Sequence, residues 1–288
     1  MFNVAKALLF SSFILFTAEF CFADAEQDAL DSVASQMTVD DAPAGRSSTT
    51  TEFGIGLFNF DFQEDVAAPK KSSELGGNLG FHFGINSDFA RGYFARFLLD
   101  FSQGTTRYDG VFQTTTKNLW ADAQTQFGFS LLKDESIARL RIYGGLGYHL
   151  WIRDSSSHSS GYREDYEWAY LPIGVRLETA GGKEYEFGID FSIRPTIAGK
   201  LNAHLSKFNI QDAQALLGEV FSSKLEFPIT VRSRSSNTVV FTPWLEVISI
   251  KQSGRIPFFD SSDSYLGTAV EPKSLTIQYG LNVNLRFE

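Results

Sequence analysis

The final segment of the chain, YGLNVNLRFE (279–288), alternates strictly between two kinds of side chain. Every second residue is apolar or aromatic, and the residues between them are small or polar. Because successive side chains of a β-strand point to opposite faces, this pattern predicts a strand with one apolar and one polar face. The alternation continues to the penultimate residue, Phe287, where most chains are frayed.

The same alternation recurs along the chain and predicts ten strands in an all-β fold. In the first strand the phase slips between Leu57 and Phe58, which predicts a β-bulge. The predicted strands are 51–62, 78–85, 93–101, 119–131, 138–152, 169–178, 184–195, 222–231, 238–250 and 275–287.

The connections between these strands alternate in length. Those after the second, fourth, sixth and eighth strands are short, whereas those after the first, third, fifth, seventh and ninth are long. An antiparallel up-and-down β-barrel with turns at one rim and loops at the other gives this pattern. The sequence therefore predicts a barrel over residues 51–288.

The N-terminus has the composition of a secretory signal peptide. One lysine precedes an apolar run, and small residues follow, so we expect a leader over residues 1–23. An uncleaved membrane anchor is the alternative, but the run is short for a spanning helix, which needs ~20 residues. The acidic segment 24–50 is expected to be a flexible periplasmic arm.

The distribution of charge indicates which face of the barrel is outside. The polar face carries charges of both signs, such as Arg96, Asp100, Arg194 and Glu246, whereas the apolar face is almost free of charge. One Arg or Lys near the middle of a bilayer costs ~2–4 kcal/mol, so a lipid-facing surface must avoid charge. We therefore expect a transmembrane barrel with short periplasmic turns and long extracellular loops. A soluble secreted barrel or sandwich is the alternative.

Composition excludes several classes of function. The net charge of −9 argues against a nucleic-acid partner. The single cysteine, Cys21, lies in the predicted leader, so the mature chain is expected to have no disulfide and no thiolate. The sequence contains no phosphate-binding loop and no metal-ligand spacing, so no cofactor and no metal are expected. A Ca²⁺ site in the acidic loops stays open as an alternative.

The end of the chain resembles the C-terminal assembly signal of Gram-negative outer-membrane proteins. Gly280, Val283, Leu285 and Phe287 fit that signal, although Glu288 follows the aromatic residue that usually ends it. The resemblance implies that the assembly machinery of the outer membrane reads this strand. It also implies that the last strand closes against the first.

Other motifs resemble a group of poorly characterised Gram-negative outer-membrane β-barrel proteins with a porin-like barrel domain. This resemblance implies an integral outer-membrane location, with membrane lipid and lipopolysaccharide as partners. It implies no catalytic residue, and the extracellular partner is unknown. The motifs are RYDG (107–110), GLGYHLW (145–151), GYRED (161–165), YLPIG (170–174) and VEPKSLTIQYGL (270–281).

An aromatic cluster is expected at the extracellular mouth of the barrel. It combines inward residues of the fifth strand with those at the start of the sixth, which are adjacent in an antiparallel barrel. Aromatic rings with polar handles occur in binding mouths, so one reading is a ligand vestibule. The other reading is a packed plug that stiffens the mouth. The five residues are His149, Trp151, Tyr166, Trp168 and Tyr170.

The residues give little support to catalysis. A protease of the omptin type needs Asp and His at the extracellular rim, and Asp109 and Asp165 are the acids expected near His149. A lipid hydrolase needs a Ser-His pair, and the only match, HSS (158–160), lies in a serine-rich loop. We therefore expect a non-enzymatic barrel with a structural or surface-interaction role. A small-solute channel or ligand-binding barrel is the alternative, and an outer-membrane hydrolase comes third.

Overall fold

The computed structural model describes residues 47–65, 72–110, 112–131, 138–179, 184–232 and 238–288. The predicted leader and most of the predicted arm lie outside these residues. Strand β1 begins at Ser48, three residues before the predicted start of the barrel. Within the described residues, no helix is long and apolar enough to cross a membrane.

The described chain forms fifteen strands, most of them in one antiparallel sheet. The strands are β1 (Ser48–Glu64), β2 (Ser72–Asp88), β3 (Tyr93–Asp109), β4 (Gln113–Ser130), β5 (Ala138–Asp154), β6 (Arg163–Tyr170), β7 (Ile173–Thr179), β8 (Tyr185–His204), β9 (Ala213–Leu216), β10 (Val220–Glu226), β11 (Ile229–Arg232), β12 (Thr238–Ile250), β13 (Ile256–Phe259), β14 (Tyr265–Ala269) and β15 (Ser274–Phe287).

The sheet closes into the predicted ten-stranded barrel. Strand β15 pairs with both β12 and β1, so the last strand joins the first, with Phe287 opposite Thr51. Two of the ten barrel strands are each interrupted and so consist of two consecutive segments, β6 followed by β7 and β10 followed by β11. The interruptions lie at Pro172 and Pro228, because proline has no N–H to donate to the sheet.

The apolar faces point outward, as the charge pattern predicts. Leu281 and Leu285 of β15 are 41% and 49% exposed, whereas Asn284 between them is 3% exposed. The outward positions of β8 from Tyr185 to Ile197 carry no charge, and the same holds for β15 from Leu275 to Phe287. A belt of exposed apolar side chains without charge is the surface that hydrocarbon requires. The transmembrane reading is therefore confirmed over the soluble alternative.

The predicted bulge in β1 is wrong. The pairing of β1 with β2 and with β15 runs without a shift through Leu57 and Phe58. The strand keeps its phase, and the apolar residues change face within it. Phe53 and Leu57 face outward, whereas Phe60 and Phe62 point into the lumen and are fully buried. The change of apolar face between Leu57 and Phe58 therefore marks aromatic residues that point into the lumen, and it does not mark a bulge.

Several stretches predicted as long loops continue as strand. Strand β3 runs on to Asp109, so that only residues 110–112 separate it from β4. His204, expected in a loop, is the last residue of β8. The barrel wall therefore extends beyond the apolar belt at the end that carries the longer connections. The small strand β9 pairs with β8 on this extension, and β13 and β14 form a separate hairpin above it.

Candidate functional site: the plugged barrel lumen

The lumen is filled by paired charges at the level of the apolar belt. Arg176 Nη2 lies 2.7 Å from Asp190 Oδ2, and Tyr143 donates to the other oxygen of this carboxylate at 2.6 Å. Near the periplasmic rim, Arg286 Nη2 lies 2.8 Å from Glu52 Oε1. Since charges of opposite sign face one another across a narrow interior, the inward polar face needs no bulk water to balance them.

The five aromatic residues predicted at the mouth come together in the lumen. His149 stacks on Trp168 with ring centroids 4.1 Å apart, and Trp151 stacks on Tyr166 at 4.7 Å. The register explains both contacts, because these residues are opposite each other in the pairing of β5 with β6. Tyr170 occupies the space beside Gly147, where any Cβ would collide with its ring.

Three further aromatic residues complete this cluster, which we call the aromatic plug. Trp120 stacks on Trp151 at 4.5 Å, and Phe60 and Phe62 meet Trp151 edge-on at 5.7 and 5.3 Å. Sequence reasoning missed all three, although the change of face in β1 marks the two phenylalanines. The plug thus takes residues from two separate parts of the barrel wall, β1 and the neighbouring strands β4 to β6, and crosses the lumen.

Most polar atoms of the plug are paired within the protein, whereas Trp120 Nε1 and His149 Nε2 have no partner in the described part of the chain. Trp151 Nε1 donates to Asn118 Oδ1 at 2.8 Å, and the Tyr170 hydroxyl donates to Asp122 Oδ1 at 2.8 Å. Trp151, Tyr166 and Tyr170 are each 1% exposed. Rings that are this buried and this well bonded pack as a core. A ligand-binding role for the five residues stays a prediction.

The histidines pair with other acids than those expected. His149 Nδ1 lies 2.9 Å from Asp122 Oδ2, so the acid beside it comes from β4. Asp165, which was expected near His149, binds Arg163 at 2.7 Å and His204 at 3.2 Å. The signal for Asp122 was present in the sequence, since it lies directly opposite His149 once β4 and β5 are paired.

The serine-rich loop after β5 shows no hydrolase geometry. The ring of His158 stacks on Phe112 with centroids 4.6 Å apart. Its Nδ1 accepts the backbone N–H of Ser160 at 3.1 Å. A nucleophilic serine would instead need its hydroxyl at the imidazole and a carboxylate behind it.

A glutamate layer lies on the extracellular side of the plug. Arg153 donates to Glu74 at 2.6 Å and to Glu164 at 2.6 Å, and its Nη1 also reaches Glu64 at 3.4 Å. The outward neighbours of this layer include the polar residues Asp154 and Arg163, although Leu75 beside Glu74 is apolar and exposed, so the layer lies at the extracellular edge of the apolar belt. One guanidinium here faces three buried carboxylates.

A fourth carboxylate of the layer comes from the loop that joins β12 to β15. Glu271 accepts the Tyr166 hydroxyl at 2.7 Å, and its backbone N–H donates to Ser253 Oγ at 2.8 Å. Burial raises the pKa of Glu271 to about 8, and the charges of Glu164 and Glu64 act in the same direction. Burial likewise raises the pKa of Glu164. Glu271 therefore holds a proton at neutral pH.

The predicted assembly-signal residues lie where the barrel closes. Val283 and Leu285 are opposite Ile55 and Phe53 of β1, and Phe287 is exposed at the end of the seam. Gly280 is opposite Phe58, and a Cβ at this position would collide with the Phe58 side chain and the Leu57 carbonyl. This places the four residues on the first-to-last contact. Recognition of these four residues by the outer-membrane assembly machinery stays a prediction.

The fold is similar to that of solved outer-membrane barrels. The outer membrane protease OmpT from Escherichia coli has a TM-score of 0.55 at 9% identity, covering 83% of this chain and 96% of that chain. OprG from Pseudomonas aeruginosa has a TM-score of 0.35 at 11% identity, covering 85% and 97%. Ail of Yersinia pestis has a TM-score of 0.33 at 10% identity, covering 83% and 99%.

No protein-family profile and no curated protein matches the sequence. At 9% identity the likeness to OmpT shows the fold and no activity. The expected resemblance to outer-membrane barrels is confirmed at this level. With the uncharged outward belt, the fold places the protein in the outer membrane as a β-barrel.

The described residues offer no metal centre. No group of three or more His, Cys, Asp or Glu side chains in these parts of the chain has the arrangement that could hold a metal ion. Carboxylates of the lumen and of the glutamate layer bond to arginine, lysine and histidine side chains and also to tyrosine and threonine hydroxyls.

Proposed function

We propose that the protein is a closed outer-membrane barrel with a structural or surface-interaction role. The observation that carries this proposal is the aromatic plug, which crosses the lumen together with the glutamate layer above it. A porin-like channel needs a continuous wet path, and fully buried Phe60 and Trp151 lie across that path.

The extracellular extension is the part of the barrel that we assign to partner binding. The hairpin of β13 and β14 presents Tyr265 and Leu266, which are 62% and 54% exposed. Exposed aromatic and aliphatic side chains of this kind are common in contact surfaces. We assign lipid and lipopolysaccharide to the apolar belt and its extracellular edge, and the outer-membrane assembly machinery to β15.

We infer no enzymatic activity. His149, His82 and His204 each pair with aspartate, but the described residues supply no nucleophile bonded to any of these three histidines. His82 is buried in the lumen below the plug and His149 is stacked within the plug, so both are out of reach of an extracellular macromolecule. His204 lies at the extracellular end, where it pairs with Asp165 and Asp212. The similarity to a protease in fold adds no catalytic residue to this chain.

Single-channel recording in planar bilayers tests the proposal. The unmodified protein is expected to give no steady conductance steps. A double variant, Trp151→Ala with Tyr166→Ala, removes two stacked rings of the plug and is expected to conduct. Leu57→Ala on the outward face is the matched control and is expected to stay closed. Large, steady steps from the unmodified protein would favour the channel alternative.

A further inference from the structure

A pocket of about 70 Å³ lies at the extracellular mouth, between the extended barrel wall and the β13–β14 hairpin. We call it the hairpin pocket. Val270 at its rim is 37% exposed, whereas Glu164 and Glu271, which also line it, are 6% and 7% exposed. The pocket therefore opens to the cell exterior, and its two acids lie at its inner end.

The walls of the hairpin pocket are apolar. Leu201 of β8 and the alanines of β9 line one side, and Ile256 and Phe258 of β13 line the other. The alanines are Ala213 and Ala215. Walls of this kind gain free energy when they bury a short hydrocarbon stem, and they offer no oxygen or nitrogen to a bare metal ion.

The inner end of the pocket has a free acceptor atom. Glu271 Oε1 accepts the Tyr166 hydroxyl at 2.7 Å, whereas Glu271 Oε2 has no hydrogen-bond partner among the residues that the structure describes. A buried polar atom that the protein leaves unbonded is costly, so this oxygen favours a ligand that supplies an N–H or O–H donor.

The charge around this oxygen favours a cation. The four carboxyl groups of the glutamate layer, Glu64, Glu74, Glu164 and Glu271, face one guanidinium, that of Arg153. Burial raises the pKa of Glu164 and Glu271, but with a proton on each of them two carboxylates still face one cation. The layer is therefore short of positive charge in either case, and an anion would add to the imbalance.

We propose that the hairpin pocket binds a primary alkylammonium group, carried by a lysine side chain of an extracellular partner or by a free short amine. The ammonium donates to Glu271 Oε2, and its stem packs against Leu201 and Ile256. A water molecule takes ~30 Å³ of liquid volume, so the pocket accepts an ammonium with about two carbon atoms, and a longer stem continues through the mouth. The lysine source rests on the partner-binding role proposed for the hairpin, whereas the free amine does not.

Binding is coupled to the proton on Glu271. The free protein holds this proton up to about pH 8, and the ammonium takes its place, so binding releases it. An alkylammonium keeps its own charge to about pH 10. The affinity should therefore rise from pH 6 to pH 9. The titratable groups that face this carboxyl are Glu64 of β1, Arg153 of β5, Glu164 and Tyr166 of β6, and Tyr162.

Ligand-observed NMR titrations of the detergent-solubilised full chain test this proposal. Ethylammonium should bind saturably at pH 8.5, more tightly at pH 9 than at pH 6. Ethanol, a neutral analogue of the same size, should bind about tenfold more weakly or not at all. Nα-acetyllysine N-methylamide separates the two sources. Binding of this amide as well as ethylammonium supports a partner's lysine, whereas binding of ethylammonium alone supports a free amine.

Two variants remove the two halves of the site. Glu271→Gln keeps an acceptor for the Tyr166 hydroxyl but removes the charge, and it should weaken ethylammonium binding about ten- to hundredfold. Ala213→Leu fills the pocket and should abolish binding. Glu219→Gln is the matched control, because the Glu219 side chain is 60% exposed and pairs with Lys251 outside the pocket, so it should bind normally. Gel mobility before and after heating checks the folding of each variant.

Equal affinities for ethylammonium and ethanol would overturn the proposal. Equal losses in Glu271→Gln and Glu219→Gln would also overturn it, as would unchanged binding in Ala213→Leu or an affinity that does not rise from pH 6 to pH 9. A non-conducting barrel that fails to bind ethylammonium would overturn this site alone and leave the proposed structural role standing.

Discussion

Arg153 Nε lies 2.6 Å from Glu74 Oε1, although the two residues belong to β5 and β2, which are separated in the barrel by β3 and β4. The contact therefore spans the lumen and ties two walls of the barrel together. Glu74 is further held by the hydroxyls of Thr106 at 2.8 Å and Thr116 at 3.2 Å. This cross-lumen bond is the centre of the glutamate layer.

Removing the guanidinium should destabilise the barrel strongly. Arg153→Ala leaves three buried carboxylates without their cation, and breaking a buried pair in this way costs about 3–5 kcal/mol. The measurement is the free energy of unfolding in detergent, followed by heat-modifiable gel mobility or by tryptophan fluorescence.

Arg163→Ala is the control for that variant. Arg163 binds Asp165 at 2.7 Å on the outer surface, and its side chain is 37% exposed, so the loss should be about 0–1 kcal/mol. Equal losses of unfolding free energy in Arg153→Ala and Arg163→Ala would show that the cross-lumen bond stabilises the barrel no more than a surface ion pair does.

The stability of the barrel should fall as the pH rises from about 4.5 to about 8. Over this range the folded protein keeps a proton on Glu271, whose pKa is raised to about 8 from its ordinary value of 4.5, while the unfolded chain has lost it. The folded state then binds more protons, so the free energy of unfolding decreases with pH. Thermal unfolding midpoints at a series of pH values measure this slope.

The variant Glu271→Gln should flatten that slope. The amide oxygen can still accept the Tyr166 hydroxyl, and the group carries no charge at any pH. The variant should therefore be more stable than the unmodified protein at pH 9 and similar to it at pH 5. An unchanged slope in Glu271→Gln would assign the pH dependence to other groups.

The two faces of β15 should respond differently to one added charge. Leu281→Asp puts a carboxylate on the lipid-facing belt, at a cost somewhat below the ~2–4 kcal/mol of Arg or Lys. Asn282→Asp faces the lumen and keeps an oxygen for the Trp244 N–H. The folded fraction in outer-membrane extracts should fall for Leu281→Asp only, and equal losses would contradict the inside–outside assignment.

The last two residues should differ in their effect on assembly. Phe287→Ala removes the terminal aromatic of the expected assembly signal and should lower the amount of folded protein in the membrane. Deletion of Glu288 should be harmless, since it leaves the aromatic residue at the chain end. Quantitative immunoblots of unheated and heated membrane extracts compare the two. If the Glu288 deletion lowered the amount of folded protein more than Phe287→Ala does, Phe287 would not be the residue that the assembly machinery recognises.

The barrel was predictable because alternation is a local property. Each strand shows its own two faces in the sequence, and the alternation of connection lengths orders the strands. Strand ends were less predictable, since polar residues such as those of β3 beyond Phe101 fit an extended wall as well as a loop. The phase change at Leu57 and Phe58 was read as a bulge because the sequence does not show that a lumen can take aromatic rings.

The candidate site was predictable only where strands are neighbours along the chain. Trp151 and Tyr166 follow from the pairing of β5 with β6, and their contact was expected. Phe60 reaches Trp151 from β1, across the lumen, and nothing local marks that contact. The same holds for Glu271, which a loop near the end of the chain brings to Tyr166. Such contacts depend on the closure and width of the barrel.

Accessibility of a cysteine below the plug tests most directly that the lumen is closed. Because the only natural cysteine lies in the predicted leader, Ser102→Cys, which lines a cavity under the plug, gives the mature chain one thiol. A membrane-impermeant maleimide added to intact cells should not label it. The same reagent should label Ser262→Cys on the exposed loop between β13 and β14. Labelling of Ser102→Cys as fast as Ser262→Cys would contradict a closed lumen.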